Sequence, residues 1–172
     1  MSLFPMCSFD EVSLKEANRL IELWGHKMGP LRRGNQSAWC HALRHEGVPV
    51  GVTCASYIIG QYVGGCDRKW NRRTVVELSR LAASRPSICR VVLRLWREFA
   101  FPAICKLGGF VAAVSYQDAK WHNGHTYRFD GWKRIGRSHS GTDTRTGRKG
   151  RDKFVWLWDP GKTNGETNQA AG

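Results

Sequence analysis

Alternating stretches of hydrophobic and polar residues give way repeatedly to stretches with three-and-four spacing. Residues 6–12 read as a short first strand. Ser13 follows, with Glu16 three positions on, the pair that caps a helix start from both sides. Ala17, Leu20, Ile21 and Trp24 then share one helical face, and the run from Gly25 to Pro30 stops that helix. Residues 37–44 and 48–59 make a hairpin around His45-Glu46-Gly47. The glycine-rich, charged stretch 62–73 carries neither period and is an irregular connection.

The rest of the chain is organised around residues 74–136. Residues 75–83 are rich in β-branched side chains and read as a strand. Arg85-Pro86-Ser87 breaks it, with Pro86 suited to the first turn of a helix. From 88 to 107, Ile88, Val91, Val92, Leu95, Trp96 and Phe99 form one buried helical face, and Gly108-Gly109 ends the helix. Residues 110–116 are almost all apolar, as in a strand buried on both faces. Strand, long helix and buried strand predict a right-handed crossover that sets the two strands parallel and adjacent. Residues 132–138 and 153–158 read as closing strands, 139–152 as a flexible basic loop, and 161–172 as a disordered polar tail.

This order, with Tyr127 four residues before the Gly131-Trp132 pair, resembles the core of the GNAT acyltransferase fold. The finer pattern is Glu77-Leu-Ser-Arg-Leu81, then Ser115-Tyr-Gln-Asp118, then His122 and Tyr127 five residues apart. It is similar to the Mom family of bacteriophage DNA-modification proteins. The resemblance implies an α/β (α+β) fold: a single GNAT-like domain over 1–160, with a central mixed, mostly antiparallel twisted sheet. That sheet is splayed between two parallel strands and flanked by helices. The activity implied is transfer to the exocyclic amine of adenine, a carbamoylmethylation that protects phage DNA from host restriction.

Composition favours a polyanionic partner. The 172 residues carry 27 Lys+Arg against 14 Asp+Glu, a net charge of +13 that attracts phosphates through counterion release. Nucleic acid is the partner this suggests, and the Mom resemblance implies double-stranded DNA. Arg32, Arg33, Lys69, Trp70, Arg72 and Arg73 are candidate contacts, as are Lys120, Trp121, Lys133, Arg134 and Arg137, with Arg148, Lys149 and Arg151 in the basic loop. The cations neutralise phosphates, while Trp70 and Trp121 offer faces on which an extruded base can stack. No apolar run reaches membrane-spanning length, and residues 1–10 lack a basic-then-apolar leader. The expectation is a cytoplasmic protein, of an infected or prophage-carrying bacterium if phage-encoded. Six Cys without paired spacing suggest neither a zinc site nor a disulfide framework.

Candidate chemistry concentrates on five residues. By alternation Arg80 falls on the apolar face with Val76 and Leu78, so its charge needs a partner, with Asp118 or Glu77 as candidates. Asp118 follows a strand end, suited to a base beside an amine nucleophile. Tyr127 occupies the position where the GNAT resemblance implies an acid for the departing thiolate, and Ser115 stands nearby in the Mom-like pattern. For acetyl-CoA, or another acyl or aminoacyl donor, the resemblance points to the strand end at Leu81 and Ala83. It points also to the helix start at Arg85 and Ser87, where free N–H groups and the helix dipole favour an anion. The glycine-rich signature usual there is absent. His26 and His122 are candidate pocket residues. His122 and His125 would share a helical face, too few ligands for a metal, so none is expected. Two other readings remain beside the DNA-modifying one: a generic GNAT N-acetyltransferase for a protein or small amine, and a non-catalytic nucleic-acid binder on the same fold.

Overall fold

The computed structural model describes residues 6–32, 38–138 and 152–163. They form two compact units, one drawn from Met1–Tyr57 and Glu77–Gly108, the other from Ile58–Val76 and Gly109–Gly172.

The first unit opens with β1 (Cys7–Val12), α1 (Leu14–Leu23), β2 (Ala38–His45) and β3 (Val48–Tyr57). Ser13 caps α1 as its sequence predicts: its Oγ accepts the Glu16 N–H at 3.1 Å. The predicted helical face also holds, since Ala17, Leu20 and Ile21 are buried against Cys40, Ala42, Val52 and Cys54 of the antiparallel β1-β2-β3 ladder. The hairpin closes through the two-residue turn Glu46–Gly47, so the pairing stops at His45 and Val48. Arg44 bridges the strands to the helix through Glu16 at 2.5 Å. Opposite each other on β2 and β3, Cys40 and Cys54 are buried thiols that hydrogen-bond together. That bond, with burial behind it, drives Cys54 far above the ordinary thiol range, and the same bond, against the opposing effect of burial, lowers Cys40.

Strand β4 (Val75–Ala83) is shared, Val75–Val76 belonging with the second unit and the rest with the first. Beyond it the helix runs as α2 (Ile88–Leu95), a π-helical segment (Trp96–Ala100) and α3 (Phe101–Gly108). Its buried face differs from the predicted one. Val92, Leu93, Trp96, Ala100, Phe101 and Ile104 are buried, while Val91 and Phe99 are 53% and 67% exposed. The helix is apolar on more than one side, so spacing alone offers two stripes. Packing selects the one whose Val92 meets the bare backbone at Gly51 of β3.

In the second unit the connection 62–73 is irregular, as predicted, but well tied. Val63 N–H donates to Trp70 O at 2.9 Å, Arg72 N–H to Gln61 O at 2.9 Å, and Asn71 N–H to Thr74 Oγ1 at 3.0 Å. Three strands follow: β5 (Ala112–Asp118), β6 (Lys133–Ser138) and β7 (Lys153–Trp158), with α4 (His125–Phe129) between β5 and β6 and α5 (Pro160–Thr163) last. β7 pairs antiparallel with both β5 and β6. Val75, Ala112, Val114, Val155 and Leu157 form the core, with Ile58 and Val63 of the connection. The second strand of the predicted crossover therefore lies two residues later than expected, ending on Asp118, because Gln117 and Asp118 still pair with Phe154 and Lys153. Strand order is β1-β2-β3-β4 in the first unit and β5-β7-β6 in the second. Residues 161–163, read from sequence as tail, continue the short α5. The rest of that segment and residues 139–151 of the basic loop lie outside the described residues.

Candidate active site and its basic, aromatic surroundings

Two of the five candidate catalytic residues meet in the second unit. Ser115 points from the middle of β5, buried, and its Oγ lies 2.8 Å from the Tyr127 hydroxyl on α4. Register explains the surroundings. Ser115 is directly opposite Trp156 on β7, and the Tyr127 ring stacks on the Trp156 indole at 5.6 Å and 19°. Trp132 closes the other side, edge-on at 5.5 Å, and its backbone N–H donates to Tyr127 O at 3.0 Å. A phenol and an alcohol in contact, flanked by two indoles, can hold a proton and pass it along one hydrogen bond. The sequence pattern names Ser115, Tyr127 and Trp132 but not Trp156, because no spacing rule links a strand to its partner across a sheet.

Asp118 ends β5 with its side chain 3% exposed. Its Oδ1 accepts the Lys120 N–H at 3.0 Å and its backbone carbonyl accepts the N–H groups of Trp121 and His122. A buried carboxylate thus anchors the turn that carries Lys120 and Trp121. Glu77 and Arg80 belong to the first unit, where Glu77 is 7% exposed. Arg80 Nε donates to Gly29 O at 2.8 Å, and its terminal nitrogens donate to Ser79 O at 2.7 Å and Pro30 O at 3.4 Å. The carbonyls that follow α1 thus face the guanidinium, contacts that residue alternation along β4 cannot reveal. Arg80 also lies close enough to favour the Cys54 thiolate.

The donor-binding candidates all lie in the first unit. Leu81 and Ala83 are half-buried on β4, and Arg85 and Ser87 are exposed in the turn before α2. That turn uses its own amides: Ser84 N–H donates to Val50 O, Ile88 N–H to Arg85 O, and Cys89 N–H to Pro86 O, at 2.9, 3.1 and 3.2 Å. Pro86 has no N–H to offer. These three amides are thus already used, and the Arg85 guanidinium and the Ser87 hydroxyl are exposed at this helix N-terminus, where an anion is favoured. Ser87 makes no capping bond of its own. An exposed guanidinium and hydroxyl here are of a chemistry that suits a phosphate group.

The histidines are placed differently from expectation. His122 precedes α4 and is not helical, so it shares no helical face with His125; its backbone N–H donates to Asp118 O at 3.1 Å. His26 lies three residues after α1 in the first unit, its Nδ1 accepting the Met28 N–H at 3.3 Å. Among the described residues no group of three or more His, Cys, Asp and Glu could hold a metal. His41, on β2, makes no hydrogen bond through Nδ1 to the described residues and stacks on Phe9 at 5.5 Å. Burial lowers its pKa from 6.5, against a smaller opposing pull from Glu11 across the ladder. A depressed histidine pKa means that the unfolded chain binds the extra proton first. Stability should therefore be level above about pH 6.5 and fall as the pH drops below it. Urea midpoints at two pH values on either side check this for wild type and His41→Asn; an equal acid loss in both would overturn it.

Around the second unit run the cations read from sequence, and several stand over aromatic rings. Lys69 Nζ is 5.2 Å from the Trp70 ring, Lys120 Nζ 5.3 Å from Trp121, and the Arg134 guanidinium 4.7 Å from Phe154. Arg137 pairs with Asp152 at 2.7 Å, while Arg72 and Arg73 are exposed at the end of the tied connection. Lys69, Trp70 and Lys133 share a cavity of about 210 Å³ with Asp67, Asp159 and an apolar floor of Ile135 and Leu157. Trp70 is half-buried against the core, whereas Trp121 is 46% exposed. Arg32 is exposed in the first unit; Arg33, Arg148, Lys149 and Arg151 lie outside the described residues.

No protein-family model matches the chain, and no curated protein does. Solved structures do. An aminoglycoside 6'-acetyltransferase type Ii is similar at a TM-score of 0.58 and 16% identity, over 88% of this chain and 96% of its own. AAC(6')-Ib, in complex with ribostamycin and coenzyme A, reaches a TM-score of 0.61 at 9% identity, over 95% and 99%. Arabidopsis thaliana NAA60, in complex with acetyl-CoA, gives 0.58 at 12% identity, over 91% and 99%. No helix of the described residues is long and apolar enough to cross a membrane. At these identities the likeness is one of architecture, and the chain has the fold of the GNAT acetyltransferases.

Proposed function

We propose that this protein is an N-acyltransferase that uses an acyl-coenzyme A donor and an amine acceptor. The observation that carries the reading is the Ser115–Tyr127 hydroxyl pair, at 2.8 Å, in a chain of GNAT fold. Acetyl-CoA, when bound, supplies an acyl thioester. Arg85 and Ser87 would hold its phosphates, and the end of β4 at Leu81 and Ala83 would orient it. Tyr127 would hold at its Oη the proton needed by a thiolate leaving group, and the Ser115 Oγ–H would stay hydrogen-bonded to that oxygen, easing the charge on the phenolate until solvent reprotonates it. Trp132 and Trp156 flank the phenol ring. Asp118 takes the proton released by the amine.

A second, finer reading follows from the net charge of +13 and the cations paired with rings around the second unit. It makes the acceptor the exocyclic amine of adenine in double-stranded DNA, extruded onto an exposed indole such as Trp121, as in Mom-type anti-restriction modification. The carbamoylmethyl product of that chemistry is joined through carbon, so this reading requires a donor other than acetyl-CoA.

Calorimetry with acetyl-CoA, followed by mass spectrometry of a polyamine, an aminoglycoside, a peptide and DNA incubated with protein and donor, tests the first reading. A saturable heat and one acetyl mass added to an amine support it; a folded protein giving neither overturns it. Nucleoside mass spectrometry of DNA from expressing cells tests the second, and an unaltered adenine profile sinks it.

A further inference from the structure

We infer that Gln117 is a positioning residue that sets the place of the Tyr127 hydroxyl by fixing Trp156 and the entry to α4; this rests on the reading of Tyr127 as the proton-holding group. The need for such a residue is physical. α4 spans His125–Phe129, a single turn of five residues, none of them buried. A turn that short does not hold itself together, because nucleation costs more than its few hydrogen bonds return. The position of Tyr127 therefore comes from what α4 leans on.

Gln117 supplies two of those supports at once. It is 4% exposed on β5, and its amide is used at both ends. Oε1 accepts the Trp156 indole N–H at 2.6 Å, and Nε2 donates to the His122 carbonyl at 2.5 Å. The orientation of the amide follows from chemistry, since an indole N–H can only donate and a carbonyl can only accept. One bond holds the indole on which the Tyr127 ring stacks, and the other holds the chain just before α4. Gly124 completes the arrangement. It is left-handed at φ +75°, and a Cβ there would lie 2.5 Å from Trp156 Cζ2 and 2.6 Å from Gln117 Oε1. Only a glycine lets the loop close over the amide and the indole together. From there the Arg128 N–H donates to Gly124 O at 3.0 Å, which starts α4 where the clamp ends.

Losing the amide leaves an indole N–H and a carbonyl without their partner in a buried place, so both shift to find others. Displacement of a catalytic hydroxyl by about 1 Å costs up to about 100-fold in rate. In Gln117→Leu, kcat should fall about 10- to 100-fold with the KM for acetyl-CoA little changed. Amide hydrogen exchange over residues 122–129 should quicken, while that of α1 stays as in wild type. Trp156→Phe, which keeps a stacking ring but removes the N–H, should quicken exchange over the same residues, and it serves as the second variant if Gln117→Leu does not fold. Unchanged exchange over 122–129 in both variants overturns the clamp. Faster exchange with an unchanged kcat overturns the positioning role. A wild type without transferase activity overturns the function proposed above, and the exchange measurement still decides the clamp by itself.

Discussion

Gly65→Ala is expected to destabilise the protein by about 3 kcal/mol or more, the largest loss from any one-carbon change considered. Gly65 lies at φ +74°, and an added Cβ would stand 2.2 Å from Arg137 O and 3.0 Å from its carbonyl carbon. The obstacle is backbone in β6, which cannot swing aside as a side chain end would. From the other direction, a Cβ on Gly136 would meet Gly65 O at 2.6 Å, so the connection 62–73 lies directly on β6 main chain. The left-handed conformation alone costs a side chain about 1–2 kcal/mol, and the overlap adds about 1–3. Thermal melting should show a drop of about 6–12 °C in a chain of this size. Gly109→Ala is the control: it shares a positive φ of +69° but a Cβ there meets nothing within 4 Å. Equal losses in the two variants would show that the close approach contributes nothing.

Tyr127→Phe is expected to reduce kcat of the transfer about 10²- to 10⁴-fold, the range lost with a positioned proton donor. The ring still stacks on Trp156 and still meets Trp132, so the fold should lose only the hydroxyl bond to Ser115, about 1 kcal/mol. Ser115→Ala, which leaves the phenol in place without its partner, should cost less, about 10-fold. Steady-state kinetics beside a melting curve separates the two effects. A Tyr127→Phe enzyme within about threefold of wild type would remove this phenol from the mechanism.

Several parts of this arrangement were legible before any coordinates. Ser13 with Glu16 marks the start of α1, and the alternation of 37–59 marks a hairpin, because caps and turns are local chemistry with local signals. Ser115 and Tyr127 stood out as candidates by resemblance. Their contact did not follow from the chain order, since twelve residues and a one-turn helix separate them. The backbone contacts of Arg80 were not legible: it hydrogen-bonds to carbonyls about fifty residues earlier in the chain, which its place on a strand does not reveal. Gln117 passed unremarked within the Ser-Tyr-Gln-Asp run, because a buried amide is given meaning only by what it touches.

By itself, then, the order of residues determined where most helices and strands begin, which of α1's sides is buried, and how basic the molecule is. Period, capping and charge are properties of neighbours along the chain, and they survive without a fold. The face of the helix over 88–108 that is buried, the backbone contacts of Arg80 and the setting of Tyr127 between two indoles were decided only in three dimensions. Each depends on close packing between segments remote in sequence, where a bare Gly51, a carbonyl at Gly29 or an indole on β7 settles which of several permitted arrangements is lowest in free energy.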